Sequence, residues 1–270
     1  MNDALFNKFR SLIYEKTGIN LSSEKKELLH ARLGKRLRAC KSSSFEEYYA
    51  LLLRDPAGAE FTQFINSIST NFTSFFRELN HFRVLEEILL PQCNGQAAGN
   101  RNPLRIWSAA CSSGEEPYTL AMVLEEYFLR HPGRGYRILA TDISTRVLEQ
   151  ARKGVYPAER MDKVPEQFLR RYFQRGVGRS AGYFRVKAAV RERITFQYLN
   201  LMERFPWQHE MDVIFCRNVM IYFDRQTQQQ LVQKFYDALV PGGFLLIGHS
   251  ESISSISHHF HQLEATVFQK

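Results

Sequence analysis

Leu104-Arg-Ile-Trp-Ser-Ala-Ala-Cys-Ser-Ser-Gly-Glu-Glu-Pro-Tyr-Thr-Leu-Ala-Met-Val-Leu124 is the run around which the chain is organised. It opens as an apolar, β-prone run, passes through small residues from Ser108 to Gly114, and continues as an amphipathic helix. Small side chains directly after a strand let a ligand press against the backbone. Glu115 and Glu116 open the helix, and Pro117 sits in its first turn, where a missing N–H costs nothing. An acidic pair at a helix N-terminus repels phosphate and suits a cation. The stretch reads as a nucleotide-type turn rebuilt for a ligand with positive charge and no phosphate. S-adenosylmethionine, with its sulfonium and ammonium groups, fits that description. An ordinary βα turn whose carboxylates complement the helix dipole fits these residues equally well.

Downstream, strands and helices alternate. Tyr136 to Thr141 predicts a second strand ending at Asp142, and Ser144 caps the next helix. A carboxylate at the end of the second strand is where α/β folds hold ribose hydroxyls; a helix-cap accessory is the plainer role. Two strand ends in agreement favour ligand binding. Ile194 to Leu199 returns to the sheet and leads into Asn200-Leu201. Met211 to Cys216 is continuously apolar, hence a central strand, and ends in Arg217-Asn218-Val-Met-Ile-Tyr222-Phe-Asp224. Gln226 to Leu239 predicts a helix closed by Pro241-Gly-Gly243, Phe244 to Gly248 a strand, and Glu264 to Gln269 one last antiparallel strand. Residues 156 to 193 interrupt the alternation. The three glycines of Gln174 to Gly182, set between two short β-prone runs of which Tyr183 to Lys187 is the second, predict an antiparallel hairpin inserted at about 172–190.

Upstream, residues 1–70 read as helical. Leu5, Phe6, Phe9, Leu12 and Ile13 recur at helical spacing, and Gly18 ends that helix. A second helix over Glu24 to Ala39 buries Leu29, Leu33 and Leu37 and aligns Lys25, Arg32 and Arg36 on its exposed side. By composition alone those cations are a solvated face. Ser44 with Glu47 makes a capping box, and Asp55-Pro56 opens a fourth helix. Asn71-Phe-Thr-Ser-Phe-Phe-Arg-Glu78 places Phe residues suited to a core among polar ones suited to capping or to a pocket between domains. His81 to Leu90 is a helix stopped by Pro91, and Cys93 to Pro103 a Gly/Asn/Pro-rich loop. The expected division is a helical domain (1–70), a linker and helix (71–103) and a sheet domain (104–270).

Length and composition fit a globular protein with ample core, and no apolar run approaches the roughly 18 residues of a membrane span. The N-terminus lacks the basic and apolar regions of a signal peptide, so a cytoplasmic location is expected. The scattered Cys40, Cys93, Cys111 and Cys216 read as reduced thiols, with no disulfide framework and no metal site. The net charge of +8 points to an acidic partner, and no nucleic-acid-binding signature is present. His249-Ser250-Glu251 is no hydrolase triad, because the GxSxG elbow is missing and chain neighbours do not face one another. His258, His259 and His261 read as exposed loop histidines.

Taken together, the motifs resemble the bacterial chemotaxis receptor methyltransferases, the CheR family. The matching stretches are Asn71-x-Thr73-x-Phe-Phe-Arg77-Glu78, Ile106 to Tyr118, Ala140-Thr-Asp142-Ile, Asn200-Leu201, Phe215 to Asp224 and Pro241-Gly-Gly-x-Leu-x-Ile-Gly-His-Ser-Glu251. They run in the family's order, the helical start matches its small N-terminal domain, and Cys111 is a variation in the turn that leaves function intact. The resemblance implies an α/β, Rossmann-like methyltransferase domain with a mostly parallel seven-stranded sheet and a reversed last hairpin, beside a small all-helical N-terminal domain and an inserted antiparallel β-subdomain. It implies a protein-glutamate O-methyltransferase that uses S-adenosyl-L-methionine, releases S-adenosyl-L-homocysteine and esterifies chemoreceptor glutamates for chemotactic adaptation. By position, Asn71, Thr73 and Arg77 line the cofactor pocket from the linker side, Glu115 meets the methionine ammonium and Asp142 the ribose. Asn200 and Leu201 hold the adenine side, and Arg217 and Asn218 lie near the methionyl end. Arg77, Arg217 and Tyr222 are the candidates to orient the acceptor, with Tyr222, a neutral donor, expected closest. Lys25, Arg32 and Arg36 are expected to face the glutamate-rich receptor helices. The hairpin, at Gly178 and Arg179, is expected either to grip a C-terminal receptor peptide or to be plain scaffold. The expected enzyme is a cytoplasmic monomer recruited to receptor arrays at the membrane. A small-molecule methyltransferase and a non-catalytic cofactor-binding module are the rival classes; the retained pocket argues against the second and the basic helical domain against the first.

Overall fold

The computed structural model describes residues 1–94, 103–132 and 135–270, so most of the loop expected over 93–103 lies outside the described residues. Four helices form the N-terminal unit: α1 (Asp3–Thr17), α2 (Lys26–Cys40), α3 (Phe45–Arg54) and α4 (Ala59–Ile68). The α1 helix starts where the Asn2 side chain accepts from the Leu5 N–H, and ends where Gly18 turns to φ 72° and donates to Tyr14 O. Glycine suits this position because the left-handed backbone disfavours a Cβ, which would also press on the Met202 side chain. Phe9, Ile13, Leu29, Leu33, Tyr48 and Phe64 fill the core of the unit, with Leu37 only partly buried.

Two details depart from expectation. Ser44 caps α3 through the Glu47 N–H, but the Glu47 carboxylate turns to Ser43 N and Oγ, so the reciprocal half of the box goes to Ser43. The α4 helix begins at Ala59, not at Pro56, because Gly58 N–H bonds Asp55 O and closes a turn that the fixed φ of Pro56 favours.

The chain then crosses to the sheet domain through a helix over 80–94, made of α5 (Asn80–Val84), a π-helical turn (Leu85–Leu89) and α6 (Leu90–Asn94). Pro91 does not stop it: the wide turn just ahead loosens the hydrogen-bond ladder where proline offers no N–H. Next come β1 (Leu104–Ala109), α7 (Glu115–Arg130), β2 (Tyr136–Asp142), α8 (Thr145–Lys153), β3 (Val155–Pro157), α9 (Glu166–Tyr172), β4 (Phe173–Arg175), β5 (Tyr183–Val186), α10 (Ala188–Arg191), β6 (Ile194–Tyr198), β7 (Met211–Cys216), α11 (Arg225–Ala238), β8 (Leu239–Ile247), β9 (His261–Glu264) and β10 (Val267–Gln269). The main sheet has the order β6-β2-β1-β7-β8-β10-β9. Strands β6, β2, β1, β7 and β8 are mutually parallel, and β10 runs against both β8 and β9. This is a Rossmann-like fold. Strand order reverses on either side of β1, which places a ligand crevice beyond the carboxyl ends of β1, β2 and β7.

The strand β7 is buried along its whole length, as its apolar run predicts. The single last strand expected over 264–269 is two strands, β9 and β10, with a tight turn at 265–266 between them. Residues 241–243 do not break the chain before β8; they lie inside it, absorbed by a register shift against β7. The inserted element is larger than a hairpin. β5 is the middle strand of a separate sheet, β3-β5-β4, so the unit recruits Val155–Pro157 from ahead of the predicted segment.

The helical unit depends on one polar cluster. Arg36 donates through Nε to Glu60 Oε1 at 3.0 Å and through Nη2 to Oε2, while the buried Tyr48 hydroxyl donates to Oε1 at 2.7 Å. Glu60→Ala strands both donors and is expected to lower unfolding free energy by about 1–3 kcal/mol in denaturant titration. An unchanged midpoint contradicts this role.

Candidate active site

Beyond β1 the chain must turn sharply before α7 can start. It does so with Ala110, Ser112 and Gly114 all at positive φ, 62°, 51° and 98°. Positive φ in non-glycine residues is strained and survives only where surroundings hold it. The surroundings here are β2: Cys111 N–H bonds Thr141 O, and Ser112 N–H donates to Asp142 Oδ2, each at 2.8 Å. The other oxygen of Asp142 accepts from Ser144 N at 2.8 Å, just ahead of α8, while the Ser144 hydroxyl, expected to cap that helix, donates to Asn66 Oδ1 at 2.8 Å and makes no cap bond. Burial lifts the Asp142 pKa to about 6.

One cavity of about 600 Å³ opens here, between the sheet ends, the linker and the helical unit. Its wall includes Asn71, Thr73, Arg77, Asp142, Asn200, Leu201, Arg217, Asn218 and Tyr222, and also Lys25 and Arg32. The helical unit is fastened at its edge: Asn200 Nδ2 donates to Lys16 O at 2.7 Å, Asn20 N to Tyr222 O at 2.8 Å, and Tyr14 Oη to Asp224 Oδ2 at 2.7 Å.

Glu115 is placed elsewhere. Its carboxylate is fully buried against Ser113 Oγ (2.7 Å) and Arg160 Nη1 (3.0 Å), off the cavity wall. Glu116 lines the cavity instead. Successive helical residues point about 100° apart, so an acidic pair cannot place both members on one face. Arg36 is likewise turned away, to Glu60. Gly178 and Arg179 sit on the small sheet's exposed loop, outside the cavity.

Two carboxylates that the sequence did not single out organise the remaining wall. Glu78, at φ 56°, accepts from Arg217 Nη2 (3.0 Å), Asn218 Nδ2 (3.0 Å) and His249 N (3.2 Å). Burial opposes its charge, yet the bonds from Asn218 and Arg217 hold its pKa below the ordinary value. Arg217 also donates to Glu116 Oε2 at 3.0 Å and to Arg77 O. Its buried guanidinium is thereby held against Glu78, Glu116 and the Arg77 carbonyl. Glu78, His81 and His249 bring their ligand atoms within 4.8 Å of one another, but the Arg217 charge already occupies the carboxylate a cation would need.

The second is Glu251, buried behind the loop after β7. It accepts from Gly248 N (2.6 Å), Asn218 N (2.8 Å), Met220 N (2.7 Å) and Ile221 N (3.3 Å). A Cβ on Gly248 would stand 2.8 Å from Asn218 N, so only glycine lets the two loops close on this carboxylate. The spacing of His249-Ser250-Glu251 after an apolar strand marked the position, but nothing in the sequence says that backbone amides converge on it.

Residues 71–269 match the family profile described as CheR methyltransferase, SAM binding domain, and residues 4–69 match CheR methyltransferase, all-alpha domain. The chain belongs to the CheR methyltransferase family. Chemotaxis protein methyltransferase 2 of Pseudomonas aeruginosa is 42% identical over 265 residues, covering 97% of this chain and 91% of the relative. The chemotaxis protein methyltransferase of Escherichia coli is 40% identical over 269 residues, 99% and 91% of the two chains. As a CheR-family methyltransferase, the chain uses S-adenosylmethionine, and the cavity suits that ligand. Its volume falls in the small-molecule range. Asn71 lines it, with its Nδ2 buried and without a hydrogen-bond partner among the described residues, and Asp142 and Glu116 supply acceptors where a phosphate site would supply donors. No described helix is long and apolar enough to cross a membrane.

Removing the Glu251 carboxylate leaves buried N–H groups unpaired around the loop that carries Asn218 and Tyr222. Glu251→Ala should cost about 3 kcal/mol of stability by denaturant unfolding. A loss under about 0.5 kcal/mol, the size of an ordinary surface change, contradicts the clamp.

Proposed function

We propose that this methyltransferase esterifies glutamate side chains of chemoreceptors, as a protein-glutamate O-methyltransferase. The observation that carries the reading is the cavity wall, which joins carboxylates suited to a cationic cofactor with Lys25, Arg32 and Arg77, suited to an anionic acceptor. The printed names of the relatives, chemotaxis protein methyltransferases, supply the receptor context.

Bound S-adenosylmethionine supplies an electrophilic methyl group on a sulfonium. In this reading Asn71, Thr73 and Arg77 hold it from the linker side, and Asp142 takes the ribose hydroxyls. Glu116, in place of Glu115, takes the ammonium, Asn200 and Leu201 border the adenine, and Asn218 borders the methionyl end beside Arg217. A glutamate carboxylate is already ionised at neutral pH and needs no general base. The residues have to align it and exclude water. Methyl transfer cancels opposite charges, so a tight cationic clamp on the acceptor stabilises the ground state more than the transition state. Arg217 is neutralised by Glu78 and Glu116, which suits that requirement. Tyr222 Oη and Arg77 remain to orient the acceptor.

The partners follow from the same surface. Lys25 and Arg32 face acidic receptor helices, without Arg36. The small sheet leaves β4 as an edge strand beside Gly178 and Arg179, a place where a receptor's C-terminal peptide can add a strand. The enzyme acts as a cytoplasmic monomer recruited to receptor arrays.

The test is transfer of a radiolabelled methyl group to receptor-containing membranes. Base-labile label on the receptor is expected, and label that is base-stable or confined to small molecules contradicts the reading. A second expectation concerns pH. Asp142 is neutral below its pKa of about 6 and then loses acceptor capacity, so cofactor affinity should fall as pH drops through that value. In Asp142→Asn, calorimetry should find binding weak throughout and without that step. Equal wild-type affinity at about two pH units apart across the window removes Asp142 from the ribose contact.

A further inference from the structure

Three large apolar side chains stand in water at the one cavity of the active site. Phe72 is 79% exposed, Ile221 51% and Leu28 44%, and all three line that cavity. They come from three separate places: Leu28 from α2, Phe72 from the linker, and Ile221 from the loop after β7. The exposure of Phe72 is not slackness of the linker, since Phe75 and Phe76 three and four residues on are buried. Arg77 Nη1 donates to Phe72 O at 2.9 Å, and its guanidinium lies 5.8 Å from the Phe72 ring centroid. Ile221 is equally fixed, its N–H held by Glu251. Held, exposed apolar groups gathered at one place mark an interaction site.

We propose that Leu28, Phe72 and Ile221 form an apolar collar that seats the helix bearing the acceptor glutamate, while Lys25 and Arg32 meet that helix's acidic side chains. The inference rests on the methylation reading above. Charge and shape argue for this occupant. Lys25 stands just ahead of α2 and Leu28 and Arg32 within it; at three and four residues apart they line one side of the helix start in the order cation, apolar group, cation, with the Arg32 guanidinium positioned by Ile68 O and by Thr70 Oγ1 at 3.3 Å. The complement is an amphipathic helix with acidic and apolar residues at the same spacing. A small free acid entering the cavity would leave the collar in water, so the collar also selects a macromolecular acceptor over a small one.

The test uses the full chain and a purified cytoplasmic fragment of a chemoreceptor from the same organism, with steady-state methylation as readout. Leu28→Ser and Ile221→Ser, both at exposed positions where folding is not at stake, should each raise KM for the fragment by about tenfold, the equivalent of about 1.4 kcal/mol of lost apolar burial. Calorimetry should give S-adenosylhomocysteine affinity in Leu28→Ser equal to wild type. The rise in KM should persist in high salt, which screens the cations and leaves the collar. KM values within twofold of wild type for both variants overturn the collar while leaving the methylation reading intact. Failure of the wild-type chain to methylate the fragment overturns that reading, and the collar with it.

Discussion

The buried Arg217 guanidinium, held between Glu78 and Glu116, is the interaction on which the site depends. It joins the linker, the first turn of α7 and the loop after β7, three segments far apart in the chain. Removing one partner from such a cluster typically costs about 3–5 kcal/mol, because the remaining charge is left buried without compensation. The strained backbone around it follows the same logic. Phe76, Glu78, Ala110, Ser112 and Asn218 all adopt positive φ, and they cluster at the segments that Arg217 and Asp142 tie together. Strain of this kind persists where hydrogen bonds over-determine the geometry.

The arrangement separates two electrostatic tasks. Acidic groups on the cavity wall suit a cationic ligand, and burial raises the pKa of Glu116 and Asp142, so neither is a freely solvated charge. Cations from the helical unit sit on the same wall but belong to a different element. The helical unit is therefore part of the site: Asn200 reaches Lys16, Asn66 Nδ2 reaches Thr145 Oγ1 at 3.0 Å, and Ile19 pairs with Phe223.

Much of the fold is legible in the sequence because its signals are local. The apolar run of β7, the small turn after β1 and the glycine that ends α1 each report one backbone requirement. The departures arise where a distant partner decides. Proline at 91 reads as a stop until the π turn ahead of it is seen, and β3 is too short to announce itself without β5 beside it. In the site the acidic pair shows the same limit. Composition says that carboxylates open α7, but only the start of the helix fixes which one turns to the cavity. Arg36 looks like its neighbours along α2 until Glu60 and Tyr48 claim it. Glu78 and Glu251 were visible as motif members, but their role is to gather amides and side chains from three loops, and no sequence spacing encodes that convergence.

Whether a methyl group passes to glutamate carboxylates of a receptor is read by peptide mass spectrometry of a receptor cytoplasmic fragment incubated with the enzyme and S-adenosylmethionine. One added methylene mass is expected on particular glutamates, absent with Arg217→Ala enzyme, whose cavity wall has lost its central guanidinium. Methylation confined to lysine, to termini or to no residue of the fragment by the wild-type enzyme would contradict transfer to glutamate.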